Sequence, residues 1–215
     1  MAEQAHWIEK DAFFSRLRTL LQARSPHRLE RRGFTQAAVL LVLWRVQGLP
    51  HLLFIRRSER VRHHKGEISF PGGTWEPRDH DLYETAIRET HEEVGLSPEW
   101  LTPLGRLDDA FSFSRYAIAP YAAALPCPKP LRPNDEVAET LPLPLHDFAL
   151  DRFTVAFRDL DGEPVPIYTY ETHGRIIWGA TARILRGFLQ ILQSDPDLGQ
   201  IMADLGCQER APVRR

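Results

Sequence analysis

The sequence predicts one domain of the α/β or α+β class, and three observations lead there. Its 215 residues suffice for one well-buried core and would be cramped as two. Short Val- and Leu-rich runs alternate with amphipathic stretches of helical period. No internal repeat, low-complexity tract or long linker divides the chain. Composition is that of an ordinary globular protein, 43% hydrophobic and 26% charged, with a formal net charge of -2. Such a balance gives no reason to expect nucleic acid or an acidic membrane surface as a partner. An acidic, polar N-terminus gives no sign of a signal peptide, and the longest apolar run is too short to span a bilayer. A cytoplasmic enzyme-sized domain is therefore expected.

Taken in order, residues 7–23 read as one amphipathic helix with Phe13, Phe14, Leu17, Leu20 and Leu21 on one face. Residues 25–33 form a basic loop. Residues 37–46 read as a buried strand, and Gly48-Leu49-Pro50 suggests the turn into a second strand over 51–56. Residues 101–107 and 116–125 read as strands, with a proline-rich crossing loop at 126–133. A further strand is expected over 136–141, closed by Pro142 and Pro144, and then a helical turn over 146–150. Residues 153–157 and 165–170 read as a hairpin around Asp161-Gly162, and 176–193 as an amphipathic helix carrying Ala180, Ile184, Phe188 and Leu192 on one side. The tail is expected to fray. Cys127 and Cys207 have neither metal-ligand nor redox spacing, and their positions lend little support to a disulfide.

The chemistry concentrates between residues 56 and 96. First comes RRSERVRHHKGEISFPGG, dense in cations. Such a run is ordinarily a solvated loop; the sharper alternative is an electropositive wall that positions phosphates. His63 and His64, being adjacent on an extended segment, face opposite ways and make a poor metal pair. Next comes FPGGTWEPRDHDLYETAIRETHEEVGL. Asp81 reads as a helix N-cap with Glu84 as its reciprocal partner, Gly95 as a left-handed stop, and Leu82, Ala86, Ile87 and Val94 as the core face. That helix crowds Glu89, Glu92 and Glu93 onto one side, where like charges cost roughly a few tenths of a kcal/mol per pair. Arg88 neutralises part of this. A hard divalent cation would remove the penalty, with a substrate phosphate completing its shell. The glycine bend lets backbone approach the same place closely.

These residues resemble the Nudix box, the family pattern of G, five residues, E, seven residues, then R-E-apolar-x-E-E-x-G-apolar. Gly73, Arg88, Glu89, Glu92, Glu93, Gly95 and Leu96 fall on it. The spacing from Gly73 to Arg88 is one residue longer, Asp79 stands where the first Glu would be, and Thr90 replaces an apolar residue. The resemblance implies a Nudix-type three-layer α/β/α sandwich with a mixed sheet, over residues 34–207, with 1–33 packed on it and 208–215 as the tail. Upstream, Leu52-Leu53, Arg57, Ser58, Arg62, His64, Gly66, Glu67 and Phe70-Pro71-Gly72-Gly73 resemble the signature of one branch, the coenzyme A diphosphatases. GRLDD at 105–109, NDEV at 134–137 and IWGATARIL at 177–185 do as well.

The resemblance implies Mg²⁺ or Mn²⁺ held by Glu89, Glu92, Glu93 and the Gly73 carbonyl, with Arg88 orienting Glu89 and these residues forming the catalytic set. It implies that Arg57, Arg62, His64, Lys65, Gly72 and Gly73 meet the substrate. Nucleoside triphosphates, dinucleotides or ADP-ribose are alternative substrates, since the box recognises only the diphosphate. A nucleotide-sensing module without catalysis is a second alternative, disfavoured because all three glutamates are present. The oligomeric state is left open, a homodimer included.

Overall fold

The computed structural model describes residues 2–61, 64–148 and 152–208, the side chains of 2–5 and 205–208 excepted. In order it forms helices α1 (Ala2–Lys10) and α2 (Ala12–Ala23), then strands β1 (Thr35–Val46), β2 (Leu49–Arg57), β3 (Ile68–Ser69) and β4 (Gly72–Thr74). Helix α3 (Leu82–Val94) follows, then strands β5 (Thr102–Arg106), β6 (Ala110–Phe111), β7 (Tyr116–Ala124) and β8 (Val137–Pro144). A second set of strands, β9 (Thr154–Leu160), β10 (Glu163–Thr172) and β11 (Arg175–Trp178), leads into helices α4 (Gly179–Ser194) and α5 (Pro196–Gln208).

β1 is the axis of the molecule. Its branched and aliphatic residues suit a strand covered on both faces, and Leu40 through Leu43 are fully buried. It pairs antiparallel with β2 and β4 and parallel with β7, in register from Thr35 opposite Tyr116 to Leu43 opposite Ala124. A parallel pair requires a crossover, and α3 lies within the segment that makes it. The period-2 alternation of β1 divides two cores. Ala38, Leu40 and Val42 meet Ala86 and Val94 of α3. Leu41 and Leu43 face Phe13, Phe14, Leu17 and Leu21 of α2 and Ile184, Leu185, Phe188 and Leu192 of α4. Each Leu, Val, Ile or Phe among them, fully buried, contributes roughly 1.5–3 kcal/mol relative to exposure. The result is the mixed sheet between helical layers that the sequence implied.

Several boundaries differ from expectation. The stretch 7–23 is two helices, because Asp11 leaves the helical conformation (φ -100°, ψ 106°) and caps α2 through the Phe13 and Phe14 amides at 3.1 and 3.2 Å. Arg45 of β1 donates to the same carboxylate at 2.6 and 2.9 Å, pinning the break to the sheet. The β1–β2 turn falls on Gln47 and Gly48, both of positive φ, so Leu49 and Pro50 are already strand. Pro142 and Pro144 do not end β8. They sit within it opposite Leu53 and His51 of β2, at an edge where a missing N–H is tolerated. Ile176 to Trp178 belong to β11, paired with β10, and α4 starts only at Gly179. α5, which the sequence reading did not anticipate, is started by Asp195, whose carboxylate accepts from the Asp197 and Leu198 amides and from Arg16 of α2.

The hairpin turns at Asp161-Gly162 as expected, and the helical turn spans Leu145–Phe148. Positions 149 and 150 of that turn, Arg62, His63 and the tail after 208 lie outside the described residues. Among the described residues, no helix is long and apolar enough to cross a membrane.

Candidate active site

The site is assembled by β4 and α3. Asp81 accepts the Glu84 N–H at 2.8 Å, while the Glu84 carboxylate reaches back to the His80 N–H at 2.6 Å, one residue earlier than the reciprocal cap expected. Gly95 closes the helix in the left-handed region (φ 73°) with its N–H on the His91 carbonyl. With both ends fixed, positions 89 and 93 face β4, one turn apart.

Two glycines make the close packing here possible, Gly72 towards the backbone of β1 and Gly73 towards Glu89. A Cβ on Gly72 would lie 2.3 Å from the Ala38 carbonyl oxygen of β1. One on Gly73 would lie 2.4 Å from the Glu89 carboxyl carbon. The Gly72 N–H donates to Glu93 Oε2 at 2.9 Å, and Arg57 stands 3.4 Å from Glu93 Oε1 and 3.6 Å from Glu136. Glu93 is only 3% exposed. Burial pushes its carboxyl up to about 8, against the Gly72 amide and the Arg57 charge. Burial likewise raises Glu89, against the pull of Arg88.

Arg88 is a clamp. Its guanidinium grips both oxygens of Asp79 at 2.8 and 2.9 Å, donates to Glu89 Oε1 at 2.8 Å and to the Thr74 carbonyl at 3.1 Å. Asp79, 5% exposed, also accepts from the Glu76 amide and the Thr85 hydroxyl. The departure at Asp79 thus fixes the loop rather than loosening it. The departure at Thr90 is accommodated too, because its buried hydroxyl donates to the Ala86 carbonyl one turn back. Glu92 lies outermost, beside Arg78 at 3.3 Å and Arg88 at 3.5 Å.

Among the described residues, no three His, Cys, Asp or Glu side chains converge as ion ligands. Glu89 is turned to Arg88, Glu92 to Arg78 and Glu93 to Gly72 and Arg57. The donor chemistry nevertheless suits a hard divalent cation, which takes carboxylate and carbonyl oxygens. A buried carboxylate with a raised protonation threshold gains from such an ion, and the space a Cβ would fill at Gly73 already holds a second one.

In front of β4 opens a cleft of about 920 Å³. Of the residues proposed to meet the substrate, Arg57, His64, Gly72 and Gly73 line it, whereas Lys65 is exposed and outside the lining. The cleft is floored by β1 and β7 through Ala37, Val39 and Ile118. Its far wall holds Arg158 of β9 and Trp178 at the end of β11. No local signal marks Arg158, and Trp178 is marked only as part of the branch-like stretch 177–185; the folding back of β9–β11 brings both to the cleft. Asp79 carried a faint signal, as an acid at the position of the box's first glutamate.

The fold and the site define a hydrolase of the Nudix type, and the family profile described as NUDIX domain matches residues 34–161. The chain belongs to the Nudix family and is a Nudix diphosphatase. It is 35% identical over 158 residues to the "Uncharacterized Nudix hydrolase NudL" of Yersinia pestis (strain Pestoides F), covering 72% of this chain and 78% of that protein. The protein of the same name from Yersinia pseudotuberculosis serotype O:3 (strain YPIII) matches to the same extent, at 35% identity, 72% and 78%. Among solved structures the chain is similar to a MutT/nudix family protein from Enterococcus faecalis (TM-score 0.48, 17% identity, covering 94% of this chain and 78% of that one). It is also similar to the MutT protein from Methanosarcina mazei Go1 (TM-score 0.47, 19% identity, 75% and 94%). Nudix hydrolases act on small diphosphate compounds and generally use divalent metal ions.

Proposed function

We propose that the chain hydrolyses the diphosphate bond of coenzyme A or its derivatives, releasing 3′,5′-ADP and 4′-phosphopantetheine, with Mg²⁺ or Mn²⁺. One observation carries this reading. Arg57, His64, Glu67, Phe70, Gly72 and Gly73, from the stretch that resembles the coenzyme A diphosphatase branch, line the cleft, and the stretch ends on the glycine step against Glu89 and Glu93.

Glu89, Glu92, Glu93 and the Gly73 carbonyl are the groups that would hold the metal. Bound there, it supplies Lewis-acid neutralisation of the phosphate oxygens and a lowered pKa for its water. The chain's own residues do the rest. Arg88, itself anchored on Asp79, fixes the Glu89 carboxylate. Glu89, raised by burial, is suited to accept a proton from the attacking water. Arg57 meets Glu93 and Glu136 and lines the cleft, where its guanidinium is placed to pair with a phosphate oxygen. A cleft of this volume accommodates a nucleotide-sized ligand.

The test is incubation of purified protein with coenzyme A and Mg²⁺ or Mn²⁺, beside nucleoside triphosphates, dinucleotides and ADP-ribose, with products separated by chromatography. Preference for coenzyme A with release of 3′,5′-ADP is expected. Turnover of the others with coenzyme A untouched would remove the branch and keep the chemistry. Turnover of nothing would favour a nucleotide sensor.

A further inference from the structure

Along the cleft wall, three side chains are linked in a row to which diphosphate hydrolysis assigns no proton transfer, His64 being expected there only to contact the substrate. Ser114 Oγ lies 3.2 Å from His64 Nε2, and His64 Nδ1 lies 3.0 Å from Glu67 Oε2. In the neutral ring whose Nδ1–H donates to the carboxylate, Nε2 is left to accept from the serine hydroxyl. A hydroxyl on a base that is oriented by a carboxylate is the arrangement that activates a nucleophilic serine.

The surroundings hold that arrangement in place. His64 is a non-glycine residue in the left-handed region (φ 59°), a conformation that is uncommon and needs local support. The support is visible: the Glu67 N–H donates to the His64 carbonyl, and Arg57 and Glu67 pair across the base of the loop. All three residues line the cleft. So do Gly179, Ala180 and Thr181, the first turn of α4, whose N-cap Trp178 makes no side-chain cap. Its amides are a source of donors for a developing oxyanion.

The serine is offset along the sheet from the glycine step. Gly73 lies opposite Ala38 and Tyr116 opposite Thr35. Three residues along β1 and two more from Tyr116 to Ser114 make five, a displacement along the strand of up to roughly 17 Å.

We propose that Ser114, His64 and Glu67 form a second hydrolytic centre, for an acyl carbonyl carried as an ester or thioester. Ser114 Oγ bonds to the carbonyl carbon as its proton passes to His64 Nε2. The carbon–oxygen or carbon–sulfur bond then breaks, and the leaving alkoxide or thiolate takes that proton. Water repeats the sequence on the acyl-serine: its proton goes to Nε2, its oxygen bonds to carbon, and Ser114 leaves with the proton. The net products are a carboxylic acid and an alcohol or thiol. Ser114 and His64 are catalytic residues; Glu67 is a positioning residue.

The test uses the full chain in EDTA, which separates this activity from metal-dependent diphosphate hydrolysis. p-Nitrophenyl acetate probes the oxygen ester and acetyl-coenzyme A the thioester, the latter read by capture of free thiol. Turnover of at least one is expected, and which one identifies the natural linkage. Ser114→Ala and His64→Ala should each lower it about 100-fold, and the double variant should fall no further than either single one. Glu67→Gln should lower kcat with KM unchanged. A fluorophosphonate probe should label Ser114 in the unaltered protein, a result independent of any variant's folding. No turnover of either compound, equal turnover in Ser114→Ala, or no label on Ser114 would each overturn the assignment.

Discussion

The two sides of the cleft are built on opposite principles. On the β4–α3 side three charged groups near the chemistry are each held by at least two others: Arg88 by Asp79, Glu89 and Thr74, Asp79 by Arg88, Glu76 and Thr85, Glu93 by Gly72 and Arg57. On the β9–β11 side the cleft is lined by Arg158 and by Trp178, an apolar ring 41% exposed, and beyond the lining Phe157 and Ile176 of the same sheet are 70% and 57% exposed. The first side fixes a geometry to a fraction of an ångström, which catalysis requires. The second offers adaptable contact area, which binding uses. Substitutions on the first side should therefore act on kcat or stability, and those on the second on KM.

The largest effect is expected at Glu93. Glu93→Gln keeps an acceptor for the Gly72 N–H but removes the buried charge that a metal needs. Its kcat, at saturating Mg²⁺, should fall about 1,000-fold or more, with the circular dichroism spectrum and thermal midpoint close to those of the unaltered protein. Unchanged turnover would break the assignment of this side to chemistry.

Asp79→Asn attacks the clamp. Losing one partner of a buried, bidentate pair costs about 3 kcal/mol, measurable by urea denaturation. The pH dependence gives a second reading. Hydrogen bonds from Arg88 hold the Asp79 carboxyl well below the usual carboxylate range; burial pushes the other way, and the Glu76 amide and Thr85 hydroxyl add to the lowering. A lowered folded-state pKa contributes stability that is fully present above the unfolded value, near 4, and is lost as pH falls through the folded one. The stability gap between the two proteins should be constant above about pH 5 and shrink steadily below about pH 4. A gap independent of pH would mean that the cost is packing, not charge.

Gly73→Ala tests how tightly that side is specified. The new Cβ would meet the Glu89 carboxyl group at 2.4 Å, so the side chain must move. A displacement of about 1 Å is expected to lower kcat about 100-fold, more than it lowers stability, since Glu89 has solvent to move into. Parallel kcat and unfolding measurements decide this.

The same contrast explains what could be read from sequence. The α3 unit was legible because its signals are local: a cap at Asp81, a stop at Gly95, and carboxylates at helical spacing. The clamp partner Asp79 was visible only as a departure, since its role depends on a loop conformation. Two boundary errors share a cause, which is that tertiary partners override local punctuation. Pro142 and Pro144 lie in a strand because β2 supplies the pairing at an edge, and Asp11 splits a helix because Arg45 waits in the sheet. Residues 176–178 have a composition that fits helix or strand equally, and β10 settles it. Arg158 had no sequence signal and Trp178 only its place in the branch-like stretch 177–185, neither of which named a site residue, because the cleft is where distant segments meet.

Trp178→Ala is the smallest and most discriminating change. Trp178 ends β11 opposite Thr169, lines the cleft and is 41% exposed, so removing its ring creates little cavity and stability should shift by only about 0.5 kcal/mol. If the ring contributes contact to the bound substrate equally in ground and transition states, its loss raises KM and leaves kcat alone. A KM increase of about tenfold, or 1.4 kcal/mol of binding, with kcat within about twofold is the expected result with whichever diphosphate the protein prefers. A fall in kcat comparable to that of Gly73→Ala would show that the wall helps to place the reacting atoms, and the division between a rigid side for chemistry and an exposed side for recognition would no longer hold.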